Sequence, residues 1–314
     1  MPTSPTRDTP FFIVINAASG SSDANEERLR IESVLREAGQ RHTFLPARSP
    51  EDLPSVAKRA VDEALRNHGA VIVAGGDGTI NTIAQAALPA GVPFGIVPQG
   101  TFNYSGRTHH IPLDAAAATR ALLDSHLKPI QAGLLNDRVF LVNASVGLYP
   151  QLLQDREDYK QQYGRNRGVA MWAALQTLLH DHRELAVRIE HDDRVENLRT
   201  RTVFVGNNPL QLEQVGLPEA EAVERRRLAA VIIKPTSTAS LLWLAIRGLL
   251  RQLGDARNVR NFPFRNMTVM PLGRREKTIQ VATDGETWRA TLPLEFKVAP
   301  QSLWLMTPAA PDEP

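Results

Sequence analysis

The sequence predicts two domains of different class: an N-terminal doubly wound α/β domain and a C-terminal, mainly antiparallel β domain. Three observations carry this. Ala70–Ala74 and Phe94–Val97 are uninterrupted apolar runs, as in parallel strands covered on both faces, and each feeds a glycine-containing loop. Helix-patterned stretches alternate with such runs as far as Leu123, which is the βα alternation of an open sheet. Past residue 126 the runs turn short, β-rich and separated by turn residues.

Taken in order, Phe11–Ile15 is the first strand, ending at Asn16 and the small residues Ala17-Ala18-Ser19-Gly20, with a charged helical pattern following to about Ala38. A second strand is expected at His42–Leu45. Ser49-Pro50-Glu51-Asp52 has the order of a helix start, with Ser49 as cap, Pro50 in the first turn and acids at the positive end of the dipole. Ala70–Ala74 passes through Gly75-Gly76-Asp77-Gly78-Thr79 into a helix over Ile80–Leu88. In the second part, Ile130–Leu135 and Val139–Val142 flank the hairpin signal Asn136-Asp137. Leu185–Ile189, Thr202–Val205, Leu228–Ile233, Asn266–Met270, Thr278–Val281 and Leu294–Val298 are further strands, with helices at Val169–Leu179 and Leu241–Leu253. Domain limits of 1–126 and 127–301 follow.

Composition narrows the chemistry. The 314 residues include no cysteine, which excludes disulfide frameworks, thiolate zinc sites and cysteine nucleophiles, and fits a reducing compartment, the cytoplasm. A net charge of +2 is too small to argue for a nucleic-acid partner, and none is expected. Met1–Pro10 is polar and lacks the pattern of a secretory signal. Leu241–Ile246, the longest apolar run of the second half, is far short of the roughly 20 residues of a membrane-spanning helix. A soluble protein is expected.

Four loops carry candidate chemistry. At Gly75–Thr79, glycines between a buried strand and a helix N-terminus let the backbone approach phosphates closely, where open amides and the helix dipole attract anions. The alternative is a tight structural turn. Asp77 beside phosphate needs a reason, such as holding Mg²⁺, taking a proton or accepting from a hydroxyl. Pro98-Gln99-Gly100-Thr101-Phe102-Asn103 follows the next strand and opens on the same sheet edge, with Thr101 and Asn103 suited to a nucleotide. Asn16–Gly20 ends another strand and could wrap a phosphate. Asp284-Gly285-Glu286 is either a simple hairpin turn or, facing a nucleotide, the place where Glu286 takes a proton from an attacking hydroxyl.

Asn16-Ala17-Ala18-Ser19-Gly20, Gly75-Gly76-Asp77-Gly78-Thr79-Ile80-Asn81, Gly100-Thr101-Phe102-Asn103, Asn143-Ala144-Ser145-Val146-Gly147, Val205-Gly206-Asn207-Asn208 and Asp284-Gly285-Glu286, in that order, resemble the diacylglycerol kinase catalytic family. That family includes bacterial lipid kinases and sphingosine and ceramide kinases. The resemblance implies an N-terminal nucleotide domain, a C-terminal β-sandwich with the lipid site, an ATP·Mg²⁺ cleft between them, and a last strand, Ser302–Thr307, that returns to the first domain together with the tail to residue 314. It implies that Asn16–Gly20, Gly75, Gly76, Asp77, Gly78, Thr79, Ile80, Asn81, Gly100, Thr101 and Asn103 hold ATP. It further implies that Glu286 accepts the proton, and that Asp284 and Asp77 organise Mg²⁺ and water. The chain departs from the family at Ala17, at Tyr104-Ser105-Gly106-Arg107 and after Asn208.

The reading is therefore an ATP-dependent lipid kinase acting on diacylglycerol or a related neutral lipid, with peripheral contact at the inner membrane face. Its rivals are a kinase of a soluble substrate such as NAD and an inactive nucleotide- or lipid-binding relative. Leu241–Leu253, with Trp243, Arg247 and Arg251, is either a packed helix with a basic face or a surface resting on anionic lipid. His180, His182, His109 and His110 read as solvated surface rather than as metal sites.

Overall fold

The computed structural model describes residues 2, 5–16, 21–148, 150, 153, 184–191, 194–235, 237, 240, 243–244, 247, 251–252, 254, 256, 258–273 and 277–308. The expected helix Val169–Leu179, His180 and His182 lie outside these residues, as does most of 241–253. The chain divides into two compact units, 1–132 with 299–314, and 133–298.

The first unit is built on one six-stranded sheet of order β2-β1-β3-β4-β18-β5. Its strands are β1 (Phe11–Asn16), β2 (His42–Ala47), β3 (Ala70–Gly75), β4 (Pro93–Pro98), β5 (His126–Ile130) and β18 (Leu303–Thr307). All pairs are parallel except β18 with β5. Every residue of β3 and β4 is buried, which is why both strands are apolar throughout rather than alternating.

Between the strands run α1 (Ser21–Glu37), α2 (Leu53–Arg66), α3 (Asp77–Ala90), α4 (Tyr104–Thr108) and α5 (Ala115–Leu123). The step β1 to β2 runs one way across the sheet and β2 to β3 to β4 the other. Right-handed crossovers therefore put α1 on one face and α2 and α3 on the opposite face. In keeping with this, α1 packs with α5 and α2 with α3. The reversal lies between β1 and β3, so their carboxyl ends, Asn16 and Gly75, flank the crevice where such sheets take ligands.

Two expectations need correction here. Ser49 is not the helix cap: α2 begins at Leu53, with Asp52 at the N-cap position and Pro54 in the first turn. The Ser49 hydroxyl instead donates to the Asp52 carboxylate at 2.8 Å. The helix starts later because Leu53, Val56, Ala57, Ala60, Val61 and Ala64 form the buried stripe, and Leu53 is its first member. Ile130–Leu135 is not one strand either. Ile130 pairs with Leu303 in the first sheet, while β6 (Gly133–Leu135) opens the second unit. A Cβ on Gly133 would lie 2.3 Å from the Phe140 ring, so glycine is what lets β6 lie against its hairpin partner. The division consequently falls at 132/133 and 298/299, not at 126/127 and 301/302.

The second unit contains two six-stranded antiparallel sheets. One has the order β10-β9-β14-β17-β6-β7 and adds β7 (Arg138–Phe140), β9 (Leu185–His191), β10 (Arg194–Thr200), β14 (Asn266–Pro271) and β17 (Leu294–Val298) to β6. The other has the order β13-β12-β11-β8-β15-β16 and comprises β8 (Asn143–Gly147), β11 (Thr202–Gly206), β12 (Leu228–Ile233), β13 (Val259–Phe264), β15 (Thr278–Thr283) and β16 (Glu286–Thr291). Alternate residues of both sheets, among them Val187, Ile189, Val269 and Phe296 on one side and Ala144, Val146, Val205 and Val281 on the other, share one core. The unit is a β-sandwich. A second cluster around Leu212, Ala229 and Val231 covers the opposite side of β12, under the short helices Pro209–Gln214 and Ala220–Glu224.

Candidate functional site

In the first unit the glycine turn is a strand-to-helix junction. Gly76 stands at the N-cap of α3 in extended conformation, and Asp77 opens the helix. The Ile80 amide already bonds to the Gly76 carbonyl at 3.0 Å, which leaves the amides of Asp77, Gly78 and Thr79 as first-turn donors without intrahelical acceptors. Gly75 has no alternative, because a Cβ there would lie 2.7 Å from Thr79 Cβ. The Asn16 side-chain amide donates to Thr79 Oγ1 at 3.2 Å, tying the end of β1 to the turn. Ile80 is fully buried, and Thr79 and Asn81 nearly so; the Ile80 side chain thus belongs to the core and not to a ligand surface. Ala17, Ala18, Ser19 and Gly20 lie outside the described residues.

The 99–105 loop is fastened to this turn at several points. The Gln99 amide donates to the Gly75 carbonyl at 3.0 Å. A Cβ on Gly100 would sit 3.0 Å from Gly76 Cα, so the two backbones approach as only glycines permit. Asn103, at φ 50°, folds its side chain back on Gly100, accepting from its amide and donating to its carbonyl at 2.7 Å each. Asn103 is thereby a loop clamp, and Thr101 is the exposed polar side chain of the loop. Both Asp77 carboxylate oxygens accept backbone amides, from Tyr104 and Ser105, at 3.2 Å each. An acid at the N-terminus of one helix thus also caps the start of α4.

In the second unit Asp284 sits at φ 46° in the turn between β15 and β16. Its carboxylate accepts three amides, from Leu141 at 2.7 Å and from Val142 and Asn143 at 2.8 Å. Asn207 grips the same bend, donating to the Leu141 carbonyl at 3.0 Å. The motifs that stand far apart in sequence, Asn143–Gly147, Val205–Asn208 and Asp284–Glu286, meet at residues 141–143. Asp284 is a backbone clamp: one oxygen accepts two amides and the other accepts one. Glu286 is different. Its side chain is 51% exposed and pairs with Arg138 at 3.1 Å, and the Arg138 guanidinium lies 5.0 Å from the Trp288 ring centre.

Arg138 was missed from the sequence because β7 and β16 belong to different sheets, and no local pattern gives a cross-sheet pairing. The basic residue closing the Asn136-Asp137 hairpin was the available hint. His109 is also not the solvated residue expected: burial, helped by Lys128 and His110, pushes its imidazole down to about 4. Among the described residues no group of three or more His, Asp or Glu side chains forms a metal cluster, and no helix is long and apolar enough to cross a membrane.

The sequence and the fold have counterparts in known proteins. Residues 10–135 match the family model for the diacylglycerol kinase catalytic domain, a stretch that holds both the glycine turn and the 99–105 loop. A diacylglycerol kinase of Staphylococcus aureus is 27% identical over 244 residues, covering 75% of this chain and 75% of that protein. One from Staphylococcus saprophyticus is 27% identical, covering 75% and 77%. The crystal structure of a diacylglycerol kinase from Bacillus anthracis superposes with a TM-score of 0.70 at 20% identity, covering 96% of this chain and 97% of that one, so the two-unit fold is shared. By residues 10–135, this chain is similar to the diacylglycerol kinase catalytic domain family.

Proposed function

We propose that the chain is an ATP-dependent lipid kinase that transfers the γ-phosphoryl group of ATP to a hydroxyl of a neutral lipid such as diacylglycerol. The observation that carries this is the junction at Gly75–Thr79, in which a buried strand leads into a helix whose first-turn amides lack intrahelical acceptors and open at the carboxyl edge of the sheet. Gly76, Gly78, Thr79 and the Gly100–Thr101 loop would line the phosphates, with Asn16 beside them at the end of β1.

Asp77 fits Mg²⁺: each of its oxygens gives one lone pair to an amide and retains another for a metal or its water. Mg²⁺, when bound, would offset charge on the transferring phosphoryl group. Asp284 supports the acidic turn, and Glu286, held by Arg138, would accept the proton of the attacking hydroxyl. A cytoplasmic protein that visits the membrane surface follows from a substrate that resides in a bilayer.

The test is transfer from labelled ATP to vesicles containing diacylglycerol, read by product mass, with NAD offered in parallel. Glu286→Gln is expected to lower the rate by roughly 10²- to 10⁴-fold while leaving ATP affinity unchanged. Full activity of that variant removes Glu286 from its role, and transfer to NAD alone removes the lipid assignment.

A further inference from the structure

The 99–105 loop ends in a feature that neither phosphate binding nor proton transfer requires. Phe102 is 54% exposed, yet it lies between Thr101 and the buried, doubly bonded Asn103. Its ring is parallel to that of Tyr104, with centroids 5.9 Å apart and 9° between planes. An exposed phenyl ring is ordinarily unfavourable, because its apolar face stays in water. Here it is also held in place. Gly100 anchors the loop against Gly76, Asn103 locks it from within, and the Tyr104 and Ser105 amides are bound to Asp77. The pair is therefore a preorganised flat surface, covalently two residues from the Gly100 that touches the phosphate turn.

We infer that Phe102, backed by Tyr104, is a stacking platform for the purine ring of the nucleotide. The inference rests on the kinase reading above and extends it from the phosphates to the base. A stack suits this place for three reasons. Every nucleobase presents a π-face, so an aromatic ring can hold it without hydrogen-bond readout. Parallel offset rings are a favourable aromatic geometry, and Tyr104 fixes the Phe102 ring in that orientation before the ligand arrives. The same Asp77 carboxylate that opens the phosphate-binding helix also secures the start of α4, so platform and phosphate turn share one rigid support. A bilayer is the competing occupant of an exposed phenyl ring. The geometry disfavours it, since a membrane contact gains nothing from a stacked partner or from a backbone clamped at the nucleotide turn.

The experiment measures Mg·ATP, Mg·UTP and inorganic tripolyphosphate binding by calorimetry, with vesicle co-sedimentation in parallel, for the full chain and for Phe102→Ala, Phe102→Leu and Phe102→Trp. Phe102→Ala is expected to weaken ATP roughly five- to a hundredfold, with UTP weakened less and tripolyphosphate unchanged. Phe102→Trp should retain ATP affinity, and Phe102→Leu should recover only part of it. Equal losses for ATP and tripolyphosphate, or an unchanged ATP affinity in Phe102→Ala, overturn the platform. Loss of vesicle binding with ATP affinity intact reassigns the ring to the membrane. Failure of the reading on which this rests looks different: a wild-type chain that binds none of the three phosphate ligands has no nucleotide site, and one that binds ATP without transfer to lipid loses the kinase reading while leaving the platform standing.

Discussion

The turns around Asp77 and Asp284 use the same residue type in opposite ways. Asp77 stands at the start of α3, where amides of its own helix remain open, and it accepts two amides of a neighbouring helix at 3.2 Å. Asp284 accepts three amides at 2.7–2.8 Å and closes a bend completely. The first carboxylate accepts one amide on each oxygen, whereas the second accepts two on one oxygen and one on the other. The lesson is that an acidic motif cannot be assigned to a metal until the donors facing it are known. Next to Asp284, Glu286 is exposed and pairs with Arg138.

Substitutions that separate the two aspartates sharpen this contrast. Asp284→Ala should show the largest effect, a loss of roughly 2–4 kcal/mol in chemical denaturation, because three amides lose a charged acceptor. Added Mg²⁺ should not restore it; restoration would return Asp284 to the metal site. Acidification probes the first unit. His109 has its pKa depressed from 6.5 to about 4, so the native state binds fewer protons than the unfolded chain across that interval. Stability is thus fully present above pH 6.5 and falls as pH drops toward 4, by on the order of 2 kcal/mol.

His109→Gln should flatten that slope in melting curves recorded between pH 7 and 4.5. In the second unit Glu196, whose pKa the Arg260 guanidinium lowers from 4.5, loses its contribution only below that value. A first unit insensitive to pH above 4.5 would contradict a half-buried imidazole held neutral. Asp77→Ala comes next, at about 1–2 kcal/mol from the lost cap, with phosphoryl transfer largely abolished. Asp77→Asn should regain much of the stability and little of the transfer. Smallest is Arg138→Ala, expected to cost under about 1 kcal/mol because the pair with Glu286 is exposed. A larger loss would mean that Glu286 is part of the fold's support.

The strands and helices were legible wherever the local pattern was decisive. Ala70–Ala74 and Phe94–Val97 announced themselves because strands buried on both faces must be apolar at every position. The start of α2 lies three residues later than expected because Ser49-Pro50 imitates a cap, while the buried stripe, a tertiary fact, begins at Leu53. Ile130–Leu135 looked continuous because its composition does not record that two different sheets claim its ends.

By itself, the sequence determined that an α/β stretch gives way to a β-rich one and where the glycine junction before α3 lies. Both rest on contacts within a few residues: apolar periodicity, glycines that free the backbone, and a helix that begins at Asp77. Only the tertiary structure decided that β18 sits between β4 and β5, that Asp284 and Asn207 hold the 141–143 bend, and that Arg138 meets Glu286. Those pairings join residues some 65 to 210 positions apart, and a hydrogen bond at that separation is set by how sheets stack, which no local pattern encodes.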